Sequence, residues 1–109
     1  MININEITDG TFNSEVLEFK IPVAVDFWAP WCGPYQMVTS VLEALAQKMT
    51  DKIKFVKINT DENPKTAQQY QIMAISSLLV FKEGKEIDRI VGYLPEDQLE
   101  AQLNKITGE

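Results

Sequence analysis

The chain has 109 residues, enough for one hydrophobic core and too few for two, so a single domain over residues 1–109 is expected. A net charge of −6 argues against nonspecific nucleic-acid binding, which needs a basic surface. No apolar run approaches the ~20 residues of a membrane span, and the opening Met1-Ile2-Asn3-Ile4-Asn5-Glu6 lacks the basic-then-apolar pattern of a secretory leader, so the reading is cytoplasmic with no membrane partner.

In chain order, Ile2 to Ile7 alternates loosely and reads as a short edge strand. Thr8 or Thr11 caps a helix through about Phe19, with Phe12, Val16, Leu17 and Phe19 on its inner side. Val23 to Trp28 is apolar on both faces apart from Asp26, the pattern of a central strand. Met37 to Met49 is an amphipathic helix burying Met37, Val38, Val41, Leu42, Leu45 and Ala46. Ile53 to Ile58 alternates with lysines and reads as a third strand. Thr60 to Pro64 is a turn into a short helix, with Pro64 near its first turn. Leu78 to Phe81 and Glu86 to Val91 are two strands joined by a hairpin at Lys82-Glu83-Gly84-Lys85. Pro95 opens a last helix, with Leu99, Leu103 and Ile106 at helical spacing. The order β-α-β-α-β-α-β-β-α gives an α/β fold: a central mixed sheet of about five strands with helices on both faces.

Cys32 is the only cysteine, and there is no histidine. A lone cysteine suits a reducing compartment, because small secreted domains carry pairs. Without histidine, Ser-His-Asp and Cys-His chemistry and most zinc sites are excluded. Cys32 falls where the second strand turns into a helix. The unpaired N–H groups and positive dipole end of a helix start favour a thiolate, the nucleophilic form. Pro34 suits the first helical turn.

The stretch Trp28-Ala29-Pro30-Trp31-Cys32-Gly33-Pro34-Tyr35-Gln36-Met37 resembles the active site of the thioredoxin family, whose motif is Trp-Cys-Gly-Pro-Cys-Lys. Val25-Asp26-Phe27, Phe55 to Asn59, Asp61-Glu62-Asn63-Pro64, Phe81 to Gly84 and Val91-Gly92 extend the resemblance over nearly the whole chain. It implies the thioredoxin fold, no cofactor, protein disulfide substrates, thioredoxin reductase as a partner, and a monomer. By the same resemblance, Cys32 is the nucleophile and Asp26 a buried carboxyl that shuttles protons, with Lys57 beside it. Alternatively, Asp26 and Lys57 form a plain salt bridge. Trp28, Trp31, Gly33, Pro34, Met73, Ile75, Ser76 and Gly92 form the rim that docks a partner chain. Trp28 also reads as partly core.

The chain departs from the family at four positions, one of them Gln36, where the family commonly has lysine. Tyr35 replaces the second cysteine, and a phenol does not attack a disulfide, so a mixed disulfide on Cys32 has no internal exit. Ser76 stands where the family has proline after a cis peptide. A trans peptide, or a mixture of trans and cis, is expected there, because a cis bond before a non-proline residue costs ~2.5–4 kcal/mol and packing at a surface loop is weak. Ser76 either opens space beside Cys32 or is merely tolerated. Ser40 replaces a proline that kinks the long helix. Three functions stay open: a monothiol thiol–disulfide oxidoreductase, a non-catalytic partner-binding module, and an iron–sulfur ligand. The last needs a dimer bridged by Cys32, since one thiolate is too few.

Overall fold

The computed structural model describes residues 4–31 and 35–108, with the backbone only at Tyr35. The expected strand start at Ile2 and the Cys32-Gly33-Pro34 turn lie outside the described residues. The elements run β1 (Asn5–Ile7), a π-helical turn (Asn13–Leu17), β2 (Val23–Trp28), α1 (Tyr35–Lys48), β3 (Lys54–Asn59), α2 (Pro64–Gln69), β4 (Ser77–Lys82), β5 (Lys85–Val91) and α3 (Glu96–Thr107). The sheet order is β1-β3-β2-β4-β5. β3 pairs in parallel with β1 and β2, whereas β4 pairs antiparallel with β2 and β5.

β2 lies at the centre, and Val23 through Phe27 are all buried. Both of its faces are covered, which is why its sequence does not alternate. On one face Ala24, Leu78 and Val80 pack against Leu42 and Leu45 of α1 and Leu99 and Leu103 of α3. On the other, Val25, Phe27 and Phe81 pack with Phe12 and Val16, joined by Tyr70 and Ile72.

Three local expectations change. The first helix is a five-residue π-helical turn in which Glu18 N–H donates to the Asn13 carbonyl at 2.9 Å. Phe19 lies beyond it and is exposed, with the Lys54 ammonium 3.8 Å from its ring centroid. A cation stacked on the ring leaves it stable at the surface. Met37, expected inside, is exposed on the first turn of α1, before the helix reaches the core residues Val38 and Leu42. At Ser40 the helix continues unbroken, and the hydroxyl donates back to the Gln36 carbonyl at 3.0 Å.

The hairpin turn places Glu83 at φ 54° and Gly84 at φ 80°. Paired left-handed residues match the twist of the strands they join. A Cβ on Gly84 would lie 3.3 Å from the Leu17 carbonyl oxygen, so glycine is also sterically favoured.

α2 receives its cap from far away in sequence. Asp9 accepts from the Thr66 N–H at 2.9 Å, the Thr66 hydroxyl at 2.6 Å and the Lys65 N–H at 3.3 Å. The side chain of Asn63, just before the helix, caps nothing locally and instead accepts from Asp9 N–H at 2.8 Å. Asp9→Ala should therefore lower the unfolding free energy by about 1–2 kcal/mol, the size of a lost helix cap, with Asp9→Asn less harmful. Denaturant melts of the three proteins check this; equal midpoints would refute it.

Candidate active site

The site lies where β2 ends and the chain turns towards α1. Asp26 is 2% exposed, on the central strand. Its register partner on β3 is Lys57, and the register partner of Lys57 on β1 is Glu6. An acid, a base and an acid thus lie abreast on three neighbouring strands. Lys57 is directed over Trp28, with Nζ 5.7 Å from the ring centroid. Glu6 accepts from Trp28 Nε1 at 2.9 Å. The indole is held by a carboxylate at its edge and a cation over its face.

The hydrogen bond that Asp26 accepts from a side chain comes from Ser76. Its hydroxyl donates to Asp26 Oδ1 at 2.7 Å, and Ser76 is also 2% exposed. The Ile75–Ser76 peptide is cis, contrary to the trans form or mixture expected from the sequence. That expectation assumed weak packing at a surface loop. Instead Ser76 is buried, its hydroxyl is held by Asp26, and its carbonyl accepts from Gly92 N–H at 2.9 Å. Gly92 adopts φ 86°, which glycine reaches without a Cβ penalty.

Burial drives the Asp26 carboxyl above the ordinary value of 3.8 to about 6. The Ser76 hydrogen bond and the Lys57 charge work against this rise, and the Glu6 charge adds to it.

Large apolar side chains that lie close to these residues in the sequence are exposed. Met73 is 93% exposed and Trp31 67%. Trp31 Nε1 donates to Asp61 Oδ1 at 3.1 Å, which steadies a ring open to solvent. Ile75 is half-buried, and Gly92 is exposed beside Val91 and Tyr93. Cys32, Gly33 and Pro34 lie outside the described residues, as does the Tyr35 side chain; the backbone of Tyr35 opens α1. Among the described residues, no group of three or more His, Cys, Asp and Glu is placed to hold a metal, and no helix is long and apolar enough to cross a membrane.

Nothing in the sequence marks Glu6, Asp61 or Tyr93 as a site residue. The alternation around Ile4 and Ile7 hints at the side on which Glu6 projects. Only the placement of β1 next to β3 brings it to Lys57 and Trp28.

A mixed five-stranded sheet with helices on both faces, and a strand-turn-helix site at one end, is the thioredoxin class of α/β protein. The thioredoxin family model matches residues 3–105. "Thioredoxin 1" of Synechococcus elongatus is 52% identical over 99 residues, covering 91% of this chain and 92% of its own. "Thioredoxin 1" of Nostoc is 51% identical, covering 92% and 94%. The thioredoxin of Porphyra purpurea is 46% identical, covering 95% and 97%. The chain belongs to the thioredoxin family.

The raised Asp26 pKa has a definite sign in stability. The unfolded chain releases this proton near 3.8, and the folded protein holds it to about 6. Between those values the folded state binds more protons, so stability falls as pH rises, and the loss is complete above about 6. It amounts to roughly 3 kcal/mol. The stability difference between Asp26→Asn and the parent should therefore move in favour of the variant by about that amount from pH ~3 to pH ~7.5. Urea melts across this range test it; a difference independent of pH would show that Asp26 ionises no less readily when folded.

Proposed function

We propose that this protein is a thiol–disulfide oxidoreductase of the thioredoxin family that works with one thiol. The Cys32 thiolate attacks one sulfur of a protein disulfide R–S–S–R′. A Cys32–S–S–R bond forms and R′–S⁻ leaves, taking up a proton from solvent. A second cysteine would ordinarily attack this bond and release the substrate. Tyr35 stands in that place, so the mixed disulfide persists until an external monothiol discharges it.

The observation that carries this reading is the presence of a single cysteine, set in the family's Trp-Cys-Gly-Pro motif just ahead of α1. Three features support it. The first-turn N–H groups of α1 are suited to a nearby thiolate. The buried Asp26 offers a carboxyl that gains and loses a proton near neutral pH. The exposed Trp31 and Met73, with Ile75 and Gly92, offer an apolar surface to an incoming chain. In this reading Lys57 and Trp28 shape the surroundings of Asp26. Gly33 and Pro34 complete the family motif with Cys32 in the sequence. The protein acts as a single 1–109 unit, a monomer in the reducing cytoplasm, on protein disulfides and with no resident cofactor.

Incubation with a disulfide-containing protein should give a covalent adduct on a non-reducing gel that is absent for Cys32→Ser and disappears with dithiothreitol. Turnover without an added monothiol should be at background. Tyr35→Cys should raise turnover by roughly tenfold or more by restoring the internal attack. Efficient reduction by the unaltered protein without a monothiol would overturn the proposal.

A further inference from the structure

The Ser76 hydroxyl is a buried polar group to which the family's known chemistry gives no task, because proline has no side-chain donor. Among the described residues it donates to Asp26 Oδ1, at 2.7 Å. Both residues are 2% exposed, so solvent offers neither a ready alternative. The backbone around Ser76 is held as well. Gly92 N–H donates to the Ser76 carbonyl, and the Ser77 hydroxyl donates to the Ala74 carbonyl. The hydroxyl is therefore presented to the carboxyl from a fixed loop.

We propose that Ser76 is a positioning residue for Asp26, orienting the buried carboxylate so that it accepts the proton of the external thiol that discharges Cys32. The inference rests on the one-thiol reading of Cys32 for its chemical step, though not for the Ser76–Asp26 link itself. The step balances as follows. A low-molecular-weight monothiol R″–SH gives its proton to the Asp26 carboxylate. The R″–S⁻ sulfur attacks the substrate sulfur of Cys32–S–S–R. R–S–S–R″ forms, and Cys32 leaves as the thiolate. Cys32 is thereby reduced and the monothiol oxidised to a disulfide with the substrate.

A hydroxyl donating to a carboxylate makes a charge-assisted bond, stronger than the bond it makes to the neutral acid. In a buried site, water does not compete for it. Ser76 thus favours the proton-free form of Asp26, opposing the burial that favours the protonated form. Among the described residues, the other charged groups acting on Asp26 are Lys57 from β3, which also favours the anion, and Glu6 from β1, which disfavours it. β4 sets Leu78 opposite Asp26, and α1 contributes Val38 and Leu42 to this side of the sheet. None of these three apolar residues replaces a lost donor. Removing the hydroxyl therefore leaves the carboxyl with less support as an anion.

The test is a carboxyl-carbon NMR titration of Asp26 in the full chain, run on the parent, Ser76→Ala and Ser76→Thr. Ser76→Gly removes the same hydroxyl should Ser76→Ala fail to fold. The Asp26 midpoint should rise by about one pH unit without the hydroxyl and stay near the parent value with threonine. The kinetic arm follows discharge of a preformed Cys32 mixed disulfide by β-mercaptoethanol. The thiol's own ionisation cancels in the ratio of variant to parent rates. For Ser76→Ala that ratio should be about one-fifth near pH 6 and return to about one above pH 8. An unmoved Asp26 midpoint overturns the positioning role. A moved midpoint with a ratio independent of pH overturns its part in discharge. Failure of any mixed disulfide to form overturns the reading of Cys32, and the titration still decides the Ser76–Asp26 link.

Discussion

The cost of holding a carboxylate in the middle of a sheet organises this end of the molecule. Asp26 sits on the central strand with apolar side chains on either side, where an unaided anion is poorly solvated. Burial alone favours the protonated form. Among the described residues, two groups oppose it: the Ser76 hydroxyl at bonding distance, and the Lys57 ammonium one strand away. The outcome is a carboxyl balanced near neutrality, with its pKa at about 6, rather than one locked in either state. Such a group exchanges a proton at little cost near that pH.

That balance depends on strand order. Because β3 lies between β1 and β2, Glu6, Lys57 and Asp26 come abreast. Lys57 is shared between the field at Asp26 and the face of Trp28, and Glu6 holds the edge of the same indole. Because β4 pairs with β2 from the other side, the loop before it delivers Ser76 to Asp26. Gly92, at the end of β5, then secures Ser76 through its backbone. The pieces of the site come from β1, β2, β3, the loop before β4 and the residue after β5, and the central strand is common to them.

The surface above is assembled by the same rule. Trp31 and Met73 are exposed large apolar groups, and a polar anchor limits the freedom of Trp31 through Asp61. An aromatic ring fixed at its edge has less conformational entropy left to lose than a free one. α2 lies nearby, capped by Asp9 from the loop after β1. The loop carrying Met73 therefore follows a helix tied to the opposite end of the sequence.

How much of this was legible in the chain follows from the range of each signal. The buried run Val23 to Trp28, the Pro64 and Pro95 helix starts, the Gly84 hairpin and the motif around Cys32 are local patterns, read from neighbours a few residues apart. The sequence by itself therefore determined the order of elements, the central strand, the presence of an acid within it and the single thiol. Phe19 and Met37 were misplaced because helical periodicity assigns a face but not where the core ends along the helix axis. The bonds that define the site join residues much farther apart: 22 residues for Trp28 to Glu6, 30 for Trp31 to Asp61, and 50 for Ser76 to Asp26. Periodicity carries no information at that range. Only the tertiary structure decided that Ser76 is buried on Asp26 rather than loose at the surface, because that contact arises when β4 docks against β2 and withdraws both groups from water.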